Sequence, residues 1–292
     1  MGVRPELGTL GDALAALGCE SEPVVLADHP GRRRVVRVGD MVVKAFAAGE
    51  AMAHQRETSG LRATAGSGLA AEPVASGPLW TATRWVDGVN PMRSDIDIDL
   101  GLTHRVLGQH LARLHEVDPS GMRPRPLVER LRDRLQSPPT ACPSSMVSGL
   151  ARMVGPWMAL MAATGGRFVH GDWGLSNILV ARDDPTKMLA VVDFEDSHVG
   201  DPAEDFKWQV LAGPRCAEYE AMSLGYAEAG GSLGPNAAER LALAGTELCL
   251  GVLKWDLPAD IEVDSHSRCL QTLDELLGGQ LPEPPHPWLA AR

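Results

Sequence analysis

The first part of the chain alternates short apolar runs with turn-forming residues, a pattern typical of an antiparallel sheet. The segment "PVVLADHPGRRRVVRVGDMVVKAF" (residues 23–46) is rich in valine and is interrupted by Pro, Gly and Asp, which predicts three strands joined by two turns. A helix is predicted over about 49–63, although Gly60 is expected to weaken its end. Two further strands are predicted near 72–75 and 79–85.

The second part of the chain has mainly helical patterns. In "LTHRVLGQHLARLHEVDP" (residues 102–119) the apolar residues recur every three or four positions, which predicts an amphipathic helix. Another helix is predicted at about 145–163, then a strand hairpin, and then helices to the end of the chain. We therefore predict an α+β fold with two lobes. Residues 1–88 form a small N-terminal β-sheet lobe with one key helix, and residues 89–292 form a larger, mainly helical lobe with the hairpin inserted.

The composition argues against several classes of protein. A chain of 292 residues with 44% hydrophobic and 22% charged residues is typical of a soluble globular protein. The net charge of −11 disfavours nucleic acid and anionic membranes as partners. We find neither a signal peptide nor an uninterrupted apolar run of about 18 residues. The five cysteines are scattered without a C-x-x-C pair, which indicates free thiols in a reducing cytoplasm. We expect a cytoplasmic monomer or homodimer.

Negative charge is concentrated in one part of the chain. Residues 195–264 hold 14 acidic and 4 basic residues. One interpretation is a solubilising surface, and the other is a site that attracts a cationic substrate. The sequence leaves both open.

Polar residues interrupt an apolar run in "FVHGDWGLSNILV", at residues 168–180. His170, Asp172 and Asn177 have the spacing H-x-D-x-x-x-x-N, and Asp193 ends the apolar strand that follows. Phosphoryl transfer needs a carboxylate that orients the attacking hydroxyl, together with an amide oxygen and a second carboxylate that hold Mg²⁺. A hairpin brings Asn177 close to Asp193. The alternative interpretation is an ordinary turn with a buried, hydrogen-bonded histidine.

Three segments resemble the aminoglycoside phosphotransferase and choline kinase group, which is related to the protein kinases. They are "VHGDWGLSNILV", "VVDFEDSHVGDPAEDF" and "LGQHLARLHEVDP". The resemblance implies a bilobal protein-kinase-like fold that uses ATP and Mg²⁺. It also implies that Asp172 is the catalytic base, that His170 braces the catalytic loop, and that Asn177 and Asp193 are the magnesium ligands. Asp205 resembles the aspartate that ties this segment to the catalytic loop.

Lys44 is the only lysine before residue 187, and it lies within the strand-like segment "MVVKAF". A lysine that contacts the nucleotide phosphates and pairs with a helix glutamate would explain this position. Glu57, in "ETSGL", is the predicted partner, and Glu50 is the other candidate. The alternative is an edge-strand lysine that points to water.

The remaining nucleotide contacts are predicted from two loops. "ADHPGRRR" lacks the G-x-G-x-x-G of protein kinases, so we expect backbone N–H groups near Gly31 to face phosphate. In "WTATRWVDG" the backbone of Arg84, Trp85 and Val86 is expected to bond adenine.

The leading hypothesis is an ATP-dependent O-phosphotransferase that acts on a small, cationic antibiotic of the aminoglycoside or basic peptide type and so gives resistance. The alternatives are a small-metabolite kinase, for example for choline, homoserine or a sugar, and a catalytically dead nucleotide-binding module. The acids predicted to contact the substrate are Glu239, Glu247, Asp256 and Asp260.

Overall fold

The computed structural model describes residues 5–92, 96–161, 166–212, 216–255 and 259–282. The first elements are α1 (Pro5–Ala16), β1 (Val24–His29), β2 (Arg33–Val38), β3 (Met41–Phe46), α2 (Ala51–Thr64), β4 (Pro73–Gly77) and β5 (Trp80–Arg84). Next come α3 (Leu100–His115), α4 (Leu127–Gln136), α5 (Ser144–Val154), α6 (Met158–Met161), β6 (Arg167–Val169), β7 (Ile178–Val180) and β8 (Met188–Val191). The last are β9 (His198–Gly200), α7 (Lys207–Ala212), α8 (Ala217–Glu228), α9 (Ala237–Val252) and α10 (Ala259–Leu277).

The predicted α+β class is confirmed. Strands β1 to β5 form one antiparallel sheet in the order β1-β2-β3-β5-β4. Two small sheets pair β6 with β9 and β7 with β8. Most of the other described residues are helical. Helices α1 and α4 were not predicted from the sequence.

Contacts divide the chain into two compact units that do not follow the order of the sequence. The first unit contains Met1–Ile96, Pro119–Arg123 and Leu175–His198. The second unit contains Asp97–Asp118, Pro124–Gly174 and Val199–Arg292. The predicted division assigns nucleotide binding to residues 1–88 and substrate binding to residues 89–292. This assignment stays a prediction.

The first unit has its core between the sheet and α1. Alternate residues of the central strands are buried there, including Val36 and Val38 of β2 and Val43 of β3, and Leu10 of α1 packs against them. This alternation is the period of two that a strand requires when one face is buried.

Helix α2 continues through Gly60 and ends at Thr64, close to the predicted end near residue 63. A Cβ atom on Gly60 would lie 2.5 Å from Ser197 Oγ and 2.8 Å from Phe194 Cβ. The glycine is therefore needed for close packing of α2 against the segment that follows β8.

The second unit has a core formed by α4, α5, α9 and α10. Helices α3 and α8 approach each other closely through two glycines. A Cβ atom on Gly108 would lie 1.9 Å from the carbonyl oxygen of Met222, and one on Gly225 would lie 1.8 Å from that of Arg105. Helix α3 ends at His115, whose side chain is part of the candidate site.

All five cysteines are free, as predicted. Among the described residues, no helix combines the length and the apolar character that crossing a membrane would require.

Candidate active site

Lys44 lies in the central strand β3 and is buried, with 7% of its surface exposed. Its ammonium is 3.2 Å from Glu57 Oε2, 3.1 Å from Glu195 Oε2 and in direct contact with Asp193 Oδ1. A mid-strand lysine is thus held by three carboxylates rather than pointing to water. Glu50, the other candidate partner, pairs instead with Arg32.

The charges of this cluster change the pKa values of its members. Burial alone would lower the pKa of Lys44, but the charges of Glu57, Asp193 and Glu195 outweigh it and hold the pKa above its ordinary value. Burial raises the pKa of Glu57, and the nearby charges of Asp193 and Glu195 raise it further against the opposing effect of Lys44. Lys44 is therefore kept charged. The three carboxylates that contact it outnumber its single positive charge.

Arg33, at the start of β2, is the second cation of the cluster, and its pairing with Glu195 was not predicted from the sequence. Its guanidinium contacts Glu195 Oε1 and lies 3.9 Å from Asp193 Oδ2. The run of three arginines in "GRRR" was the available signal, but their partners lie far away in sequence. Arg32 donates to Glu50 at 2.9 Å, so the two neighbouring arginines pair with different acids.

Asn177 and Asp193 lie at the same end of the hairpin formed by β7 and β8. Ile178 pairs with Val191, and the Val192 N–H donates to the Asn177 carbonyl at 3.0 Å. Asp193 has φ 67° and ψ 62°, a left-handed conformation that is rare for a residue with a side chain. Such backbone strain is concentrated at functional sites, where the surrounding structure enforces it.

The oxygen donors at this end of the hairpin fit Mg²⁺. The ion prefers carboxylate and other hard oxygen ligands, and it is usually bound by one or two protein side chains together with substrate phosphates. Asp193 and Asn177 would supply one carboxylate and one amide oxygen. Among the described residues, no group of three or more acids, cysteines or histidines could hold a metal ion by itself.

Asn90 braces the turn that carries Asn177 and was also missed. Its side-chain amide donates to the carbonyl oxygens of Ser176 at 2.6 Å and of Leu175 and Ile178 at 3.3 Å. The sequence "DGVNP" shows only a turn, because the three carbonyl partners lie about 85 positions away.

The residues expected at the phosphates and at adenine lie in the first unit, in the turn before β2 and at the end of β5 and just after it. Gly31 has φ 78° in the turn between β1 and β2. The Arg84 N–H donates to the Glu72 carbonyl at 2.8 Å and the Trp85 N–H donates to the Asp40 carbonyl at 2.7 Å. Because these two N–H groups already donate internally, Val86 stays the candidate donor to a nucleotide base.

In the second unit, Asp205 holds the loop that follows β6. Its carboxylate accepts hydrogen bonds from the backbone N–H groups of His170 at 2.9 Å and Gly171 at 2.7 Å. It also bonds His115 Nε2 at 3.1 Å, and His115 Nδ1 bonds the Tyr226 hydroxyl at 2.8 Å. Burial would raise the pKa of Asp205, but these hydrogen bonds hold it below its ordinary value.

Asp172 lies on the same loop and receives a bond from an aromatic residue. The indole N–H of Trp208 donates to Asp172 Oδ1 at 2.8 Å. Lys207, one residue earlier, donates to the carbonyl of Gly171. The Trp208 ring packs against Trp255 with ring centroids 6.2 Å apart.

The four predicted substrate acids have different surroundings. Glu239 is half-buried in the first turn of α9. Glu247 is buried, bonds Arg134 at 2.8 Å and lies 3.7 Å from Arg130. Asp256 lies outside the described residues, as does the side chain of Asp260.

Five of the 14 acids in residues 195–264 form ion pairs with arginines from earlier in the chain. Acids of this segment pair with arginines that precede it, so a charge count by segment overstates the free negative charge. The pairs are Glu195–Arg33, Asp196–Arg56, Glu204–Arg130, Glu228–Arg105 and Glu247–Arg134.

Comparison with solved structures shows the same fold in proteins of low sequence identity. The aminoglycoside 2'-phosphotransferase-IIIa, in a structure of its GDP complex, matches with a TM-score of 0.65 and 14% identity over 94% of this chain and 99% of that chain. A macrolide 2'-phosphotransferase from Brachybacterium faecium matches with a TM-score of 0.61 and 21% identity over 92% and 98%. A choline/ethanolamine kinase family protein from Mesorhizobium loti matches with a TM-score of 0.68 and 18% identity over 93% and 99%.

No curated protein matches the sequence at a significant level. The model of the phosphotransferase enzyme family, in contrast, matches residues 27–242, which is most of the chain. This match confirms the resemblance drawn from the three sequence segments, and the solved structures confirm the protein-kinase-like fold. The chain belongs to the phosphotransferase enzyme family.

Proposed function

We propose that this kinase transfers the γ-phosphoryl group of ATP to a hydroxyl of a small molecule that also carries an amine. The observation that carries the proposal is the buried cluster in which Lys44 is held by Glu57, Asp193 and Glu195. A cation fixed beside strained Asp193 is suited to the phosphates of a nucleotide.

The roles of the side chains follow from their chemistry. Lys44 binds the nucleotide phosphates, Glu57 orients Lys44, and Val86 bonds the base. Asp172 orients the acceptor hydroxyl and receives its proton, while Asp205 and His170 hold the loop. Asn177 and Asp193 would hold Mg²⁺, which when bound supplies positive charge that stabilises the transferred phosphoryl group.

The acceptor is proposed to be an antibiotic such as an aminoglycoside or macrolide, which makes the chain a resistance enzyme. The fold shared with an aminoglycoside and a macrolide phosphotransferase supports this. The free cysteines support a cytoplasmic location, where ATP is available.

A metabolite kinase for an amino alcohol such as choline is the second candidate. The pairing of Glu247 and other acids with arginines favours it, because less negative charge is left for a polycation. The fold shared with a choline/ethanolamine kinase family protein agrees with this candidate.

Mass spectrometry of acceptors incubated with ATP and Mg²⁺ tests the proposal. The panel contains aminoglycosides, macrolides, choline and ethanolamine, and Asp172→Asn is the matched variant. We expect a phosphoryl mass gain on one class and its loss in the variant. A gain only on choline or ethanolamine would overturn the antibiotic assignment. ATP binding without any transfer would support a nucleotide-binding module without catalysis.

A further inference from the structure

Three side chains of one short segment, residues 205–208, hold three consecutive residues of the catalytic loop. Asp205 accepts from the N–H groups of His170 and Gly171. Lys207 donates to the carbonyl of Gly171, and Trp208 donates to the carboxylate of Asp172 at 2.8 Å. The first three of these bonds fix the backbone, whereas the fourth reaches the side chain that would receive the proton.

We propose that Trp208 is a positioning residue for Asp172, an inference that rests on the proposed function. A carboxylate that serves as a base must present one oxygen to the hydroxyl in a fixed direction. An indole N–H only donates, so the bond to Oδ1 fixes the rotation of the carboxylate. Trp208 has no other polar atom that would permit a reversed arrangement.

The location of Trp208 makes this donor rigid. Trp208 lies in the first turn of α7, directly after the capped 3-10 turn Pro202–Phe206. Its ring packs against Trp255 with an interplanar angle of 47°. Lys207 anchors the same turn to the loop, so the indole and the carboxylate are held by a common framework.

Any acceptor hydroxyl that reaches Asp172 must also come close to the Trp208 indole, because the two groups share that carboxylate. Loss of the N–H should therefore slow transfer without weakening ATP binding, since Lys44 and its partners belong to a different cluster. If Trp208 had only a structural role, its replacement would change the free energy of unfolding and not the rate of transfer.

The sharpest test replaces the indole of Trp208 with benzothiophene, by incorporation of 3-benzothienylalanine, which keeps the ring shape and changes N–H to sulfur. Trp208→Phe is the simpler variant. Trp255→Phe is the matched control, because it keeps an aromatic ring against Trp208 and removes no donor to Asp172. The probe is phosphoryl transfer from ATP, with Mg²⁺, to the acceptor that reacts fastest in the panel above.

We expect the benzothienylalanine variant to lower kcat by roughly 10- to 100-fold, a part of the roughly 10²- to 10⁴-fold that a positioned general base contributes. KM for ATP and Tm should not change, and Trp255→Phe should keep its kcat. In the Asp172→Asn background the same replacement should have no further effect. An unchanged kcat in the benzothienylalanine variant, or an equal loss in both backgrounds, would overturn the inference.

Failure of the proposed function gives a different result. If Asp172→Asn alone retains full transfer, the assignment of the base is wrong, and the inference falls with it. If Asp172→Asn abolishes transfer while the benzothienylalanine variant is fully active, only the role of Trp208 is wrong.

Discussion

The ammonium of Lys44 lies 3.2 Å from Glu57 Oε2, and the two side chains are only 9% and 6% exposed. Breaking a buried pair typically costs about 3–5 kcal/mol when the remaining charge is left alone. Lys44 is not left alone, because Asp193 and Glu195 also contact it. We therefore expect Glu57→Gln to change the free energy of unfolding by only about 1 kcal/mol.

The same substitution should have a larger effect on nucleotide binding. Without Glu57, Lys44 is attracted only toward Asp193 and Glu195, so it is no longer held where phosphates need it. We expect KM for ATP to rise by about 10-fold, equivalent to about 1.4 kcal/mol. Glu50→Gln is the control, because Glu50 pairs with Arg32, whose side chain is 58% exposed, and such pairs contribute little. Equal KM values in the two variants would contradict the role of Glu57.

Glu247 gives a prediction about pH. Burial would raise its pKa, but Arg130, Lys207 and Arg134 lower it below the ordinary value near 4.5. An acid whose pKa is lower in the folded protein adds stability above its unfolded pKa, and this stability is lost as the pH falls through the folded pKa. We expect Glu247→Gln to be less stable than the wild type at pH 7, with the difference shrinking below pH 4.5. Chemical denaturation of both proteins between pH 7 and pH 3.5 measures this difference.

Acceptor kinetics decide whether Glu247 also contacts the substrate. If its carboxylate only pairs with Arg130 and Arg134, Glu247→Gln leaves KM for the acceptor unchanged. Glu239→Gln is the comparison, because Glu239 lies in the same helix and is half-buried. A rise in the acceptor KM for Glu247→Gln alone would support the prediction that Glu247 contacts the substrate.

The catalytic and metal-binding candidates could be predicted from the sequence because their signal is local spacing. His170, Asp172 and Asn177 lie within eight residues, and a single hairpin adds Asp193. Lys44 was recognisable because a lysine within an apolar strand needs a partner.

The partners that complete the site were not predictable, because they depend on contacts between distant segments. Arg33 precedes Glu195 by more than 160 positions, and the sequence favours Trp208 as a residue that lines a site without indicating its bond to Asp172. The charge of residues 195–264 suggested a cationic substrate because a count by segment omits arginines from earlier elements. The packing role of Gly60 was not predictable for the same reason, since its contact with Phe194 is not visible in helix propensity.

Gly60→Ala should destabilise the protein even though alanine favours helix. Its Cβ would meet Ser197 Oγ at 2.5 Å and Phe194 Cβ at 2.8 Å, and overpacking of this kind costs about 1–3 kcal/mol. Since Phe194 follows Asp193 directly, activity should fall as well.

Gly8→Ala is the matched control in helix α1, where a Cβ meets nothing within 4 Å, and it should stabilise by up to about 1 kcal/mol. Thermal unfolding of both variants measures the contrast, and a stabilised Gly60→Ala would refute the packing argument.

Asn90 provides a test of how the metal-binding turn is held. Its amide donates to the carbonyls of Leu175, Ser176 and Ile178, which flank Asn177. Asn90→Ala removes the donor and should cost about 1–2 kcal/mol. Asn90→Asp should cost more, because a carboxylate would face the same carbonyl oxygens.

Hydrogen exchange of the Val192 amide, which donates to the Asn177 carbonyl, reports directly on this turn. We expect exchange to accelerate in the order wild type, Asn90→Ala, Asn90→Asp, with kcat falling in the same order. If Asn90→Asp exchanged as slowly as the wild type, the turn would be held by groups other than the Asn90 amide.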